Sequence, residues 1–382
     1  MRPKTIPILQ TALVVASGAK ALQFPPGLAP AYNAAQKPLI GLSDDDIDVT
    51  IDSQFNGLVT YASVPYVNCL ADEEVEGNKY DIAFLGAPFD TAVTGRPGAR
   101  YGPGAIRSAS VLGLRKDARD AWSVYTGKNP LMSWATVVDC GDVPVTWLDN
   151  NVALAQLTKA HKVVSSRKVA NTTHLSVPRI ITLGGDHTTT LPALRSTFRH
   201  FGPVSVIHFD SHLDTWDPAV LGGNISDYAG LNHGTFLHIA HEEGLIRNTS
   251  IHAGIRAPMV RAKGDLRNDV RCGFDRLTAR DIDRFGGAAG IASRIRERVE
   301  GGPVYISVDI DVLDPAFAPA TGTPEPGGWT TRELLSVLAA LQGLDVIGAD
   351  VVEVAPAYDT HGDTTGLAAA EVAFTLLELM VN

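Results

Sequence analysis

Cysteine is scarce in this chain: Cys69, Cys140 and Cys272 are the only three. No two of them form a C-x-x-C pair, so a zinc site built on thiolates has no support. An oxidising compartment would allow one disulfide, but so few thiols read better as small buried hydrophobes. Positive charge is in deficit as well. Lys and Arg number 32 against 42 Asp and Glu, a net charge of −10. Such a surface repels phosphate backbones and argues against nucleic acid as a partner, while a cationic small molecule is tolerated. Beyond the amino terminus no stretch reads as apolar enough to cross a bilayer, so no membrane association is expected. Repeats and low-complexity linkers are also missing. What remains, with 45% hydrophobic residues, is an ordinary globular composition with enough chain for one large core.

The amino terminus is read as an address. Arg2 and Lys4 precede a short apolar stretch from Ile6 to Ala16, and Ala19-Lys20-Ala21 supplies an A-x-A pattern. That layout is a secretory signal peptide over residues 1–21, with a mitochondrial or cytoplasmic location as the alternatives. Sequons at Asn171, Asn224 and Asn248 are compatible with secretion but discriminate poorly. Residues 22–78, with Pro25, Pro26, Pro30 and the acidic run Asp44, Asp45, Asp46 and Asp48, read as a surface extension.

From Tyr80 onward the pattern changes, and residues 79–382 read as one domain. Short apolar runs at 81–86, 136–139, 179–183, 204–208, 304–308 and 344–348 suggest buried strands. Helix candidates fall at 104–112, 151–169, 188–200, 233–244, 287–299, 330–341 and 366–380. Alternation of this kind implies a parallel sheet covered on both faces. Ligands then bind beyond the carboxyl ends of the strands.

Polar motifs follow directly after three of the runs. They are Gly184-Gly185-Asp186-His187, then Asp210-Ser211-His212-Leu213-Asp214, then Asp309-Ile310-Asp311. In extended chain, residues two apart share a face, so Asp210, His212 and Asp214 can converge, as can Asp309 and Asp311. Four carboxylates with two imidazoles at one sheet end need cations to offset their charge. Two divalent ions fit this set better than one. Hard oxygen donors with imidazole and no sulfur suit Mn²⁺ best.

These residues resemble the ureohydrolases: arginase, agmatinase, guanidinobutyrase and relatives. The resemblance rests on Leu183–His187, His208–Asp214, His233-Gly234-Thr235-Phe236, Ser307–Pro315 and Asp350–Pro356, in family order. Ser211 stands where the family usually has Ala. The resemblance implies a three-layer α/β/α fold with a mostly parallel central sheet of about eight strands. It also implies a homo-oligomer, trimer or hexamer, and two Mn²⁺ per subunit. One ion would be held by His187, Asp210, Asp214 and Asp309. The other would be held by Asp210, His212, Asp309 and Asp311, with Asp210 and Asp309 shared. Water activated between the ions would attack a guanidinium carbon, oriented by Asp214. Glu353 would hold the guanidinium, and His233 would carry the proton to the leaving amine.

The substrate is expected to be a small guanidino compound. Residues Trp216 to Asn232 do not match the Ser/Asn-rich stretch by which arginase-like members grip an amino acid head group. Agmatine, cleaved to putrescine and urea, is the first expectation; guanidinobutyrate or another guanidino acid is the alternative. Trp216 and Asp227 are candidates for the substrate tail, with Asp217 a further carboxylate. Arg96, Arg100 and Arg107 either rim the pocket or brace the fold, and bracing suits Arg100 and Arg107. A silent metal or polyamine binder, and a one-zinc deacetylase, are the readings from other classes; the full ligand set and His233 weigh against both.

Overall fold

The computed structural model describes residues 57–71, 79–113, 121–299 and 301–381, apart from the side chains of Asp227 and Ala262. The proposed signal peptide and most of the 22–78 extension, with its acidic run, lie outside these residues. The described residues fall in one compact unit, Ser53–Asn382.

Eight strands form a single sheet: β1 (Ile82–Gly86), β2 (Val137–Asp142), β3 (Arg179–Leu183), β4 (Ser205–Phe209), β5 (Ser250–Ile255), β6 (Phe274–Thr278), β7 (Val304–Asp309) and β8 (Val346–Val352). Their order is β2-β1-β3-β8-β7-β4-β5-β6, and every pairing is parallel. Each residue of β1, β4, β5, β7 and β8 is buried. That follows from parallel pairing, which requires crossovers that cover both faces and so selects continuous apolar runs. β5 and β6 were not legible as strands: β5 carries His252 and Gly254, and edge strand β6 alternates Phe274 with Asp275 and Arg276.

Alternate residues feed two cores. Phe84, Ile181, Ile207, Ile306 and Val351 point to the face covered by helices Gly102–Gly113, Ala288–Val299, Thr331–Ala339 and Thr364–Val381. On the other face Leu85 and Ile180 meet helix Asn150–Ser165, while Val206 and Tyr305 meet helices Thr190–Phe201 and Phe236–Glu242. The result is the three-layer α/β/α arrangement. Local signals set the helix starts: Asp149 accepts from Val152 N, and Thr330 with Glu333 forms a reciprocal capping box.

Helix Thr364–Val381 corrects one expectation. Its 18 residues are apolar enough on average, and long enough, to cross a bilayer by length and composition, yet 78% of them are buried inside the protein. Most of its surface is packed, and Glu371 and Glu378 lie among its few partly exposed positions.

Residues 57–71 of the expected extension pack against the domain. Tyr61 is buried, stacks on Phe84 at 4.0 Å between ring centroids, and donates to the Ala370 carbonyl at 2.6 Å. Tyr66 bridges to Asp139 in parallel, so residues 65–67 run beside edge strand β2 and cover its free backbone groups. Arg107 braces the same corner, its guanidinium reaching Asp139 at 2.8 and 3.0 Å and Asp142 at 2.5 Å. Arg100 likewise pairs with Asp90 at 2.5 Å. Both therefore brace the fold.

Cys69 and Cys140 are bonded to each other, contrary to the expectation of unpaired thiols, and Cys272 is free and buried. The β2 bridge explains the pairing, since it brings the two Cα atoms to 5.3 Å. The bond closes a loop spanning 71 positions. Loop entropy at that length is worth up to about 4 kcal/mol. Thiol titration of the denatured protein should find one reactive thiol before reduction and three after. A Cys69→Ala/Cys140→Ala variant should lose roughly 2–4 kcal/mol in chemical denaturation; three thiols without reductant would show that the bridge does not form.

Candidate functional site

Four neighbouring strands, β3, β8, β7 and β4, deliver the site from their carboxyl ends. His187 follows β3, Glu353 follows β8, Asp309 ends β7 and Asp210 follows β4. Two glycines let these segments close up. A side chain at Gly185 would overlap the Phe89 carbonyl, and one at Gly254 would meet the Asp210 carbonyl and Val312.

All six metal-ligand candidates come together. His187 Nδ1 lies 3.1 Å from Asp210 Oδ2, 3.1 Å from Asp214 Oδ2 and 3.3 Å from Asp309 Oδ2. His212 Nδ1 lies 3.1 Å from Asp311 Oδ2 and 3.2 Å from Asp210 Oδ1. Two groups of potential ligand atoms result: His187, His208, Asp210 and Asp214 in one, Asp210, His212 and Asp311 in the other. Asp210 is common to both. Asp309 approaches the first through Oδ2, while its Oδ1 accepts from Asp311 N at 2.8 Å.

The carboxylates are held from behind. Asp210 Oδ1 accepts from His212 N at 2.5 Å. Asp311 Oδ1 accepts from Ser211 N at 3.1 Å and from Ser211 Oγ at 2.8 Å, so the serine adds a hydrogen bond that alanine lacks. His187 is fixed by a one-way chain. Ser307 donates to Asp350 at 2.6 Å, and Thr190 and Tyr305 donate to the same carboxylate at 2.8 and 2.7 Å. Ser307 Oγ is therefore the acceptor for His187 Nε2–H at 2.8 Å, which leaves the Nδ1 lone pair facing the carboxylates.

Several inward atoms have no hydrogen-bond partner: His187 Nδ1, His208 Nε2, Asp210 Oδ2, Asp311 Oδ2 and Glu353 Oε2. Burying such atoms without partners is costly. Converging oxygen and imidazole donors without sulfur are the fit expected for hard divalent cations. The electrostatics agree. Burial and the charges of Asp311 and Asp210 push the Asp309 carboxyl well above its usual range. Burial and Asp210 raise Asp214 to about 6. These carboxyls resist ionising together unless positive charge joins them.

Beside the cluster, Glu353 Oε1 accepts from His187 N at 3.0 Å and lies 3.0 Å from His233 Nδ1. Its Oε2 is buried and free of partners. Burial opposes a charge on His233, but the hydrogen bond and charge of Glu353 outweigh it and lift the ring to about 9. Thr94 serves His233 Nε2 in either protonation state. Its N–H donates to the neutral ring at 3.0 Å, and its hydroxyl at 2.8 Å can accept from the charged one. The 94–103 loop thus borders the site through Thr94, while Arg96 sits 5.2 Å over the Tyr358 ring. Asp186, behind Glu353, is raised to about 7 by burial and by the Glu353 charge. Asp214 and Glu353 both have positive φ, 54° and 62°. Non-glycine residues tolerate that conformation only where surrounding contacts impose it, which is common at functional sites.

The tail candidates fare differently. Trp216 is buried next to the site, its ring 6.4 Å from that of His212 and its Nε1 unpartnered. Asp217 accepts from Ala219 N as a helix cap and lies 3.9 Å from Arg261. The Asp227 side chain lies outside the described residues. Sequence reasoning assigned no role to Thr94, His252 or Asp269, nor to Asp186, His208, Ser307 and Asp350, which stood in the motifs without one. His208 was accessible, being two residues before Asp210 on one strand; His252 was not, because only the β4–β5 register places it opposite His208.

Known proteins match this arrangement. A family profile described as the arginase family covers residues 80–378. "Putative agmatinase 1" of Schizosaccharomyces pombe is 49% identical over 346 residues, 88% of this chain and 86% of that protein. An agmatinase of Neisseria meningitidis is 38% identical, across 78% of this chain and 87% of its own. The solved structure of proclavaminate amidino hydrolase from Streptomyces clavuligerus has a TM-score of 0.74 at 33% identity, covering 86% of this chain and 98% of that one. With the sheet order, the clustered ligand set and these likenesses in agreement, the chain belongs to the arginase family.

Proposed function

We propose that this chain hydrolyses agmatine to putrescine and urea at a pair of Mn²⁺ ions. As an arginase-family member it is an amidinohydrolase, and the finer reading concerns metal and substrate. The observation that carries it is Glu353 Oε2, a buried carboxylate oxygen without a partner beside the candidate ligands. A planar, permanently charged guanidinium is the cation whose geometry suits a carboxylate.

His187, Asp210, Asp214 and Asp309 would hold one ion, and Asp210, His212, Asp309 and Asp311 the other. Bound there, the ions supply Lewis-acid activation of water at neutral pH. The protein's own groups do the rest. Glu353 fixes the guanidinium carbon against the cluster, with its strained backbone aiming the carboxylate. Asp214 orients the attacking water. His233 delivers the proton that the leaving amine needs; a guanidinium bound at Glu353 offsets the charge that holds the ring proton, which favours its release. Trp216 and Asp227 stand as candidates along the substrate tail.

Agmatine is favoured by the names of the Schizosaccharomyces pombe and Neisseria meningitidis relatives and by the lack of an arginase-like head-group stretch after Trp216. A guanidino acid is the second reading, favoured by the proclavaminate amidino hydrolase likeness. The same proposal includes a homo-oligomer, trimer or hexamer, for which exposed Trp122, Tyr125 and Trp147 offer apolar surface. It also includes passage through the secretory pathway, supported by the layout of residues 1–21 and by the Cys69–Cys140 bond. Intact mass of protein from its native host should begin after Ala21; retention of Met1 would remove that part.

Asp210→Ala and Asp309→Ala should lose bound Mn²⁺ and urea release together. Glu353→Gln should keep the metal but lose roughly 10²–10³-fold in kcat/KM, since breaking a buried charge pair costs about 2–5 kcal/mol. Full turnover in any of the three would refute its assigned role. A panel of agmatine, arginine, guanidinobutyrate and guanidinopropionate with Mn²⁺ should give the highest kcat/KM for agmatine. Preference for an acid-tailed substrate would establish the second reading instead.

A further inference from the structure

We infer that Asn248 carries an N-linked glycan, and that it is the sequon the fold is built to leave open. The inference rests on the secretory reading above and adds to it one modified atom, Asn248 Nδ2.

The structure separates the sequons at Asn171, Asn224 and Asn248. Asn171 is half-buried, and its amide is engaged at both ends. Oδ1 accepts from Thr173 N at 3.1 Å, and Nδ2 donates to the Trp134 carbonyl at 3.4 Å. A sugar on that nitrogen would press against Trp134, whose ring is stacked on His174 at 4.2 Å. Asn224 is exposed, but it lies between Trp216 and His233, beyond the carboxyl end of β4. A glycan there would stand on the catalytic side of the sheet.

Asn248 meets neither obstacle. It is exposed in the turn between Ile246, which bridges to Val204, and Ser250, which opens β5. That is the amino end of a strand in a parallel sheet, so it lies opposite the end that carries the ligand cluster. It also lies near the β6 edge, whereas exposed Trp147 follows β2 at the other edge. A bulky, solubilising glycan at Asn248 therefore leaves the catalytic end and the Trp147 surface clear. Among the described residues no hydrogen bond engages its side-chain amide. Gly273, at φ 89°, makes room for it: a Cβ there would come within 2.7 Å of Asn248 Cα and 2.8 Å of Oδ1. The carbonyl branch of the amide thus lies against Gly273, and the nitrogen branch turns away. Arg298 holds the turn, donating to the carbonyls of Asn248 at 2.5 Å and Gly273 at 3.0 Å.

The sequon hydroxyl sets the timing. Ser250 is fully buried, donating to the Arg247 carbonyl at 2.9 Å and accepting from Val206 N at 3.0 Å. It is free to take part in transfer only before β5 joins β4, so the sugar is attached to the unfolded segment. In that step Asn248 Nδ2 attacks the anomeric carbon of a lipid-linked oligosaccharide diphosphate. A C–N bond forms, the C–O bond to the diphosphate breaks, and the amide gives up one proton. The lipid diphosphate leaves with the electron pair. The fold then closes around a modified Asn248 with nothing to displace.

Protein recovered from its native host tests this. The denatured protein is treated with peptide-N-glycosidase in heavy-oxygen water and then cut with trypsin, which frees residues 248–256 between Arg247 and Arg256. Position 248 should be read as aspartate carrying the heavy oxygen. Untreated Asn248→Gln protein should be lighter by one glycan, with urea release unchanged. Processing after Ala21 with Asn248 unmodified would overturn the inference and leave the secretory reading standing. An amino terminus at Met1 with Asn248 unmodified would remove both. A glycan on Asn171 or Asn224 with Asn248 bare would also overturn it.

Discussion

Like charge confined away from water is the constraint on which the rest of this structure depends. Asp210, Asp214, Asp309 and Asp311 are all buried and share one end of the sheet. Two unit charges about 4 Å apart repel by roughly 4 kcal/mol at an effective dielectric near 20. No hydrophobic core would keep such a group without compensation. Part of the compensation is built into the chain. Backbone N–H groups of Ser211, His212 and Asp311 each donate to a carboxylate in the cluster. These donors hold one oxygen of each of Asp210, Asp309 and Asp311 in place. The other oxygens turn toward the imidazoles, where only a cation satisfies all of them at once.

The sheet exists in this form to serve that geometry. Four adjacent strands end at one level, and the chain leaves each in a tight turn rather than a long loop. Behind the inward-facing groups stands a second layer anchored in the strands: Ser307 and Tyr305 on β7, Asp350 on β8, His208 on β4, His252 on β5. These polar residues occupy positions that parallel sheets usually give to Val or Ile. Each is buried and hydrogen-bonded, so rotamers near the cluster are determined by contacts running through the sheet.

Most of this was legible in the sequence where one segment carried the signal by itself. Asp210-x-His212-x-Asp214 and Asp309-x-Asp311 announced themselves by spacing, and the apolar runs before them located the strands. Alternation implied a parallel sheet covered on both faces, and the family resemblance supplied the three-layer fold of about eight strands. What escaped notice depended on who lies beside whom. The His208–His252 contact needs the β4–β5 register, and the Cys69–Cys140 bond needs the bridge from Tyr66 to Asp139. Helix Thr364–Val381 was placed correctly along the chain, but its high apolar content only makes sense once the helices and strands around it are known. Glu353 was located by family position; its left-handed backbone has no sequence signature, because Glu is an uncommon choice there.

The strand order has a consequence for how the molecule comes into being. β8 follows the other seven strands along the chain yet lies near the middle of the sheet, between β3 and β7. Until it inserts, β3 and β7 have no common neighbour, and the carboxylates after β4 and β7 are separated from His187 after β3. Contacts this distant in sequence form slowly. A partly synthesised chain would therefore present the acidic strand ends without Glu353 and without the closed sheet that shields them. The site and the sheet are completed in one event, so the protein cannot hold a finished substrate pocket on an unfinished fold.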